Sequence, residues 1–420
     1  MSIRKRTWTT KKGTSEAYLV DYTDQTGHRQ VRQFTRRKDA VAFRDQTGVE
    51  VRNNSHVPLS ADITVEKAGE YWLKRARDDL ETKTADQYEQ HLRLHIVPFI
   101  GKEKISCIGI PEVRKFMDKL KEAGRSGAMV KSVRTSLSGI ISEAQERGHS
   151  VRNAVREMSQ RRKGKEARHA ARRKAKLKIG VDIPSPAEVQ SILVELSKPN
   201  AAYRELIITA IFTGMRASEL RGLRWTDVDL KHKKIHVTQR ADANNEIGRP
   251  KSEAGERTIP MFDYVANTLT HWKTRCPKGE LGLVFPTQNG TVQRHENIVR
   301  RGLCAPQIAA GLTKQKVLRT KGRKPVLDKD GKQQFITVAK YEGLHALRHF
   351  FASWSINSKS RDGRGMNPKE VQDVLGHSTL ALTMDTYGHL FPATDDAAAM
   401  AAAEAALLGP LSATKVQQIS

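Results

Sequence analysis

Four stretches in the second half of the chain hold side chains suited to a phosphate ester. The first is Phe212-Thr213-Gly214-Met215-Arg216-Ala217-Ser218-Glu219-Leu220, where an apolar run ends at Thr213-Gly214 and Arg216 follows at the turn into the next helix. The planar fork of a guanidinium matches the two non-bridging oxygens of one phosphate. Glu219, three residues on, is placed for an i,i+3 pair with Arg216. The second stretch, from Arg249 to Pro260, reads as a hairpin with Lys251 near its tip, an ammonium able to protonate a leaving alkoxide. In the third, Gly343-Leu344-His345-Ala346-Leu347-Arg348-His349-Phe350-Phe351, the i,i+3 spacing puts His345 and Arg348 on one helix face and Leu344, Leu347 and Phe351 opposite. The fourth is Val374-Leu375-Gly376-His377-Ser378, with Thr383-Met384-Asp385-Thr386-Tyr387-Gly388-His389 downstream. A phenol with an ordinary pKa of about 10 is a poor nucleophile unless its anion is stabilised. Two arginines, a lysine and two histidines converging on one phosphate would supply that stabilisation. Taken singly, each feature has a plainer meaning: a structural ion pair at Arg216–Glu219, an exposed Lys251, a core aromatic at Tyr387. The weight lies in their occurring together and in order.

Those residues need elements to hold them. The apolar segment Glu205 to Thr213 predicts a buried helix ahead of Arg216, and Ser185 three residues before Glu188 predicts an earlier helix start. Lys234–Thr238 and Glu256–Pro260 read as short strands of a small sheet, while 313–340 is a Lys-, Gly- and Asp-rich insertion without a clear pattern. Together they define an α+β unit over 183–395. Ahead of it, 62–160 reads as a bundle of four or five helices: Val65, Ala68, Tyr71 and Trp72, then Val113, Phe116, Met117 and Leu120, repeat at helical spacing. Tyr88, His91, Leu92, His95 and Ile96 continue the pattern until Pro98 and Gly101 break it, and Met129–Arg147 buries Val133, Leu137, Ile140 and Ile141. Residues 1–55 read as a basic three-stranded unit with strands near Arg6-Thr7-Trp8, Ala17–Tyr22 and Gln30–Phe34, and a turn at Asp24–Gly27. A helix from Lys38 to Val51 turns Ala40, Val41, Ala42 and Phe43 toward that sheet. A linker at 161–182 is dense in cations, among them Arg161, Arg162, Lys163, Arg172 and Arg173, and such a run stays extended until a polyanion neutralises it. The alanine-dominated tail at 396–420 has high helix propensity but too few large apolar side chains for a core of its own.

The 420 residues suit two or three domains, and 73 Lys and Arg against 46 acids leave a formal charge of +27. That excess points to nucleic acid or an anionic membrane as partner. No apolar run approaches the roughly 18 residues a membrane span needs, and the basic N-terminus with Arg4, Lys5 and Arg6 is not followed by an apolar signal segment. Nucleic acid is therefore the expected partner, with Arg4, Lys5, Arg6 and the linker cations as candidate contacts. Cys107, Cys276 and Cys304 are odd in number and far apart, so neither a disulfide framework nor a metal site is expected, and a reducing cytoplasm is the natural compartment.

Arg216 with Glu219, the hairpin Lys251, the His-x-x-Arg pair His345 and Arg348, His377 in Leu-Gly-His, and Tyr387 in Thr-Met-Asp-Thr-Tyr-Gly-His closely resemble the tyrosine recombinases, and the whole chain resembles phage-type integrases. The resemblance implies a multidomain fold: a small three-stranded β-sheet plus helix that binds arm-type DNA sites, an all-α core-binding domain, and a mainly α (α+β) catalytic domain. It implies a site-specific recombinase acting through a 3′-phosphotyrosine. Tyr387 would be the nucleophile, Arg216 and Arg348 the phosphate clamp, and Lys251 the general acid for the 5′-oxygen. His345 would act as acid/base near Tyr387, His377 would hydrogen-bond the phosphate, and Glu219 would support Arg216. The broken ester's energy stays in the protein–DNA bond, so no cofactor, ATP or metal is implied. The expected assembly is a homotetramer on double-stranded DNA carrying core and arm sites, its tail helix docked on a neighbouring protomer. An excisionase and a host DNA-bending factor are further expected partners, and the expected location is the cytoplasm, on the nucleoid when bound. A type IB topoisomerase shares the chemistry, and a DNA-binding regulator on a decayed scaffold would share the fold. The small N-terminal unit argues against the first and the complete catalytic set against the second.

Overall fold

The computed structural model describes residues 1–10, 13–23, 27–52, 62–150, 152–160, 176–250, 252–320, 325–357 and 363–391. The expected turn at 24–26, the linker cations Arg161, Arg162, Lys163, Arg172 and Arg173, Lys251, and the tail helix lie outside the described residues. The chain divides into two compact units, Met1–Arg172 and Arg173–Ser420.

In the first unit, Ser2–Thr10, Gly13–Thr23 and Arg29–Phe34 form an antiparallel sheet in sequence order. The helix Arg37–Arg52 packs on it, burying Ala40 and Thr47 and setting Phe43 edge-on to Tyr22 at 5.8 Å. Ala42, expected to face the sheet, is exposed, because three consecutive helical positions sweep about 200° and cannot share one buried stripe. Arg4 and Arg29 both pair with Asp21, and Lys5 pairs with Glu16 at 2.7 Å, all three cations at the surface.

The helices Val65–Asp79, Thr82–His91, Ile110–Glu122 and Gly127–Glu146 enclose a core of Val65, Ala68, Trp72, Phe116, Leu120, Leu137, Ile140 and Ile141, with the short helix Ala154–Gln160 against it. Thr64 and Ser126 cap their helices by accepting from the amides of Lys67 and Met129. Pro98 does not end its helix as expected. The chain widens into a π-turn at Leu92–Ile96, where the Val97 amide donates to the Leu92 carbonyl, and helix resumes over Val97–Ile100. The missing proline N–H is absorbed there rather than left as a break.

In the second unit, Pro186–Ser197 begins with the capping box of Ser185 and Glu188. The helix Arg204–Thr213 runs through the centre of the unit, burying Leu206, Ile207, Ile208, Ala210 and Ile211. A helix apolar on every side is one the core surrounds. It stops at Gly214, which takes φ +62°, and a Cβ there would strike the Phe351 ring. Glycine is therefore required for conformation and for space. Val228–Asp229, Lys234–Val237 and Arg257–Pro260 form a three-stranded antiparallel sheet with Ile235 opposite Ile259. The hairpin assigned to Arg249–Pro260 is offset from that expectation. Its turn is Asp242–Glu246, where the Asp242 carboxylate accepts from the amides of Asn244 and Glu246 and Asn245 takes φ +69°. The returning strand is Ile247–Gly248, and a 3₁₀ turn at Glu253–Gly255 precedes the strand Arg257–Pro260. The 313–340 insertion is also a hairpin, Thr313–Val317 against Phe335–Ala339, with Lys314 and Lys316 both paired to Glu342.

Candidate active site

The site is built where four elements meet. The turn after Gly214 delivers Arg216 to the N-terminus of Ala217–Gly222, where its amide and Nη1 donate to the two oxygens of Glu219 at 2.8 and 2.7 Å. Nη2 of Arg216 donates to the Gly376 carbonyl at 2.9 Å, reaching across to the Leu-Gly-His turn. The helix His345–Ile356 brings Arg348, which donates from Nη1 to the Gly214 carbonyl at 2.8 Å and from Nη2 to the Leu375 carbonyl at 2.7 Å. One buried guanidinium therefore ties the first stretch to the fourth.

The helix Pro368–Leu375 closes at Gly376, φ +67°, and places His377 with its Nδ1 at 2.9 Å from the Thr383 hydroxyl. The helix Leu380–Tyr387 then returns Tyr387 beside His377, the two rings parallel at 6.3 Å. Arg216, Glu219, His345, Arg348, His377 and Tyr387 are thus brought together from segments distant in sequence.

The neighbourhood is cationic and largely closed to water. Burial alone would raise the Glu219 carboxyl, but the charges and hydrogen bonds of Arg257 and Arg216 outweigh it and hold it below its usual range. Burial pushes the Arg348 guanidinium down to about 9, so it still carries its proton at neutral pH. Burial, followed by the charges of Arg348, Arg216 and Arg257, takes His377 down to about 4. Burial, then His345 and Arg348, takes His349 to about 4. His345 is lowered by burial and by Arg348 and Arg216. Burial pushes the Tyr387 phenol up to about 12, against the pull of Arg348 and Arg216. Three arginines face one carboxylate, so an added anion is the group that would balance them, and Arg216 remains 37% exposed on its side chain to meet it.

Two residues here were not singled out from the sequence. Arg257 opens the strand Arg257–Pro260 and is nearly sealed. It donates to both oxygens of Glu219, at 3.1 and 2.9 Å, to the Val374 carbonyl at 2.6 Å and to the Gly255 carbonyl at 3.0 Å. A Cβ on Gly376 would lie 2.9 Å from its side chain, so the turn closes directly over it. His349 follows Arg348 and has its Nδ1 at 2.8 Å from the Tyr387 hydroxyl. It lies i,i+4 from His345, whose ring meets it edge-on at 4.4 Å, a spacing that alone does not say which of the two touches the phenol. Among the described residues no cluster of three or more His, Cys, Asp or Glu could hold a metal ion, and no helix is long and apolar enough to cross a membrane.

Residues 185–393 match the phage integrase family and residues 65–161 match the phage integrase central domain. A tyrosine recombinase XerC-like protein of Caldanaerobacter subterraneus is 25% identical over 410 residues, covering 93% of this chain and 96% of that one. The ICEBs1 integrase of Bacillus subtilis is 22% identical over 303 residues, 71% of each chain. Among solved structures, a Tn1549 transposon integrase in complex with transposon right end DNA superposes with a TM-score of 0.58 at 20% identity, over 81% of this chain and 99% of that one.

Proposed function

The chain belongs to the phage integrase family of tyrosine recombinases, enzymes that break and rejoin DNA at specific sites to integrate mobile elements, and from that premise we propose that Tyr387 is its nucleophile. The observation behind this reading is the convergence of Arg216, Arg348, His377 and Tyr387 on one closed, cationic site. Tyr387 attacks the scissile phosphate, forming a 3′-phosphotyrosine as the bond to the 5′-oxygen breaks. Arg216 and Arg348 take the non-bridging oxygens, where fixed donors stabilise charge that grows in the transition state. His377 donates to the same phosphate, and Lys251 protonates the departing 5′-oxygen. Glu219 neither gives nor takes a proton, since it stays ionised between two arginines; it orients Arg216. Because the ester's energy is kept in the protein–DNA bond, the second strand's 5′-hydroxyl reverses the step without ATP.

The same premise extends outward. The N-terminal sheet with Arg4, Lys5 and Arg6 reads arm sites, the helices of 62–160 grip core DNA, and the cationic linker at 161–182 lies along the backbone between them. The working assembly is a homotetramer on two duplexes, with the tail of 396–420 docked on a neighbour. An excisionase and a host bending factor would act with it in excision.

The test uses a nicked duplex cut from the direct repeat that bounds the integrated element, so that the cleaved flank diffuses away and traps the adduct. Tyr387→Phe is expected to bind this DNA like the parent and to give no covalent complex. A surviving adduct would remove Tyr387 as the nucleophile.

A further inference from the structure

We propose that His349, rather than His345, is the group that takes the nucleophile's proton. This rests on Tyr387 being the nucleophile, and assigns the base that serves it. His349 Nδ1 stands 2.8 Å from the Tyr387 oxygen, inside the range for direct proton transfer. His345 lies one helical turn earlier, its ring 4.4 Å from the His349 ring, and it is His349 whose ring lies 5.7 Å from that of Tyr387 and whose Nδ1 meets the phenol oxygen. The Tyr387 hydroxyl is buried, so bulk water does not take its proton.

The step balances within the site. The phenol O–H bond breaks, its proton passes to Nδ1, and the oxygen's electron pair forms the new bond to phosphorus while the bond to the 5′-oxygen breaks. In the rejoining step the imidazolium returns the proton as the phosphotyrosine bond opens. This requires the neutral ring in the tautomer with Nε2 protonated and Nδ1 accepting, and the depressed basicity of His349 keeps the ring neutral before DNA binds. The charged and titratable groups facing it are His345 and Arg348 on its own helix, Tyr387 on the helix against it, and Asp182 on the segment before Pro186. Arg348 and His345 oppose a proton on His349, and Asp182 favours one. A bound phosphate brings negative charge among the same arginines. That charge raises the ring's basicity when the nucleophile must be deprotonated.

His349→Gln in the full-length protein, on the same nicked duplex under single-turnover conditions, is expected to cleave about 10²-fold more slowly with unchanged DNA binding. Its rate should keep rising about tenfold per pH unit through the alkaline range, where the parent levels off, because attack then depends on phenolate formed without a base. Replacing Tyr387 by the more acidic 3-fluorotyrosine should recover much of that loss in the Gln variant and change the parent little. A merely structural role for His349 would not shift the pH profile or respond to the acidity of residue 387. Parental rate and pH profile in His349→Gln would overturn the assignment. So would a defect that fluorotyrosine leaves unchanged, or faster cleavage, which would make His349 a restraint on Tyr387. An adduct formed by Tyr387→Phe would instead overturn the nucleophile itself, so the two readings fail separately.

Discussion

At the N-terminal sheet Arg4, Lys5 and Arg29 stand in solvent beside Asp21 and Glu16, whereas Arg257 and Arg348 in the second unit are sealed beneath the turns at Gly214 and Gly376. The sequence draws all of these cations alike. Burial separates their work. A surface arginine pairs weakly, is screened by salt and can exchange its carboxylate for a phosphate at little cost. A buried arginine must have its donors satisfied by fixed acceptors, so it becomes a clamp on the backbone that supplies them. In this chain those acceptors are the carbonyls of Gly214, Val374 and Leu375, the turns that aim Arg216 and His377.

If that contrast is right, substitutions should sort by burial rather than by charge. The largest effect falls on Arg348→Ala, which removes the proposed phosphate ligand and leaves the buried carbonyls of Gly214 and Leu375 without its donors. Adduct formation should drop by about 10³-fold, and chemical denaturation should show a loss of about 3 kcal/mol. Arg257→Lys comes next. It keeps the charge but not the planar fork that reaches Glu219 and Val374 together, and misplacing the clamp should slow cleavage about 10²-fold with DNA affinity intact.

A third effect is pH-dependent. His377 and His349, taken to about 4 by burial, stay neutral in the folded unit while the unfolded chain protonates them near 6.5. The unfolded state then binds more protons, so stability is lost as the pH falls from about 6.5 toward 4. Calorimetry should show the Tm of the second unit falling across that window. A flat Tm there would mean the two rings take up protons as readily in the fold as in the unfolded chain. The smallest effect belongs to Arg4→Ala with Lys5→Ala. Tm should not move, and DNA affinity should weaken uniformly, with a salt slope shallower by about one for each phosphate no longer neutralised. A stability loss there as large as at Arg348 would erase the contrast.

Much of this was legible in the residues themselves. Arg216, His345, Arg348, His377 and Tyr387 declared themselves by type and spacing, because short-range geometry fixes which side chains share a helix face or turn. Arg257 did not, because its partners at Glu219, Gly255 and Val374 are united only by the tertiary fold. The one local hint was a charge at the start of an apolar strand. His349 was hidden by its neighbours: it shares the stretch with His345, and only the placement of Tyr387 decides which histidine touches the phenol. Pro98 misled because a π-turn upstream can absorb a missing donor, which spacing does not announce. The hairpin was shifted because the Asp242–Glu246 turn outcompetes the Pro250 region as the point of reversal.

One buried phenol oxygen, set among arginines tied to the backbone, is proposed as the atom that joins DNA. The most direct test is to trap the covalent complex on the nicked duplex, digest protein and DNA, and locate the nucleotide by mass spectrometry. A single modified peptide with the phosphodiester on Tyr387 is expected. A nucleotide on any other residue, or on none while strands are still cut, would contradict it.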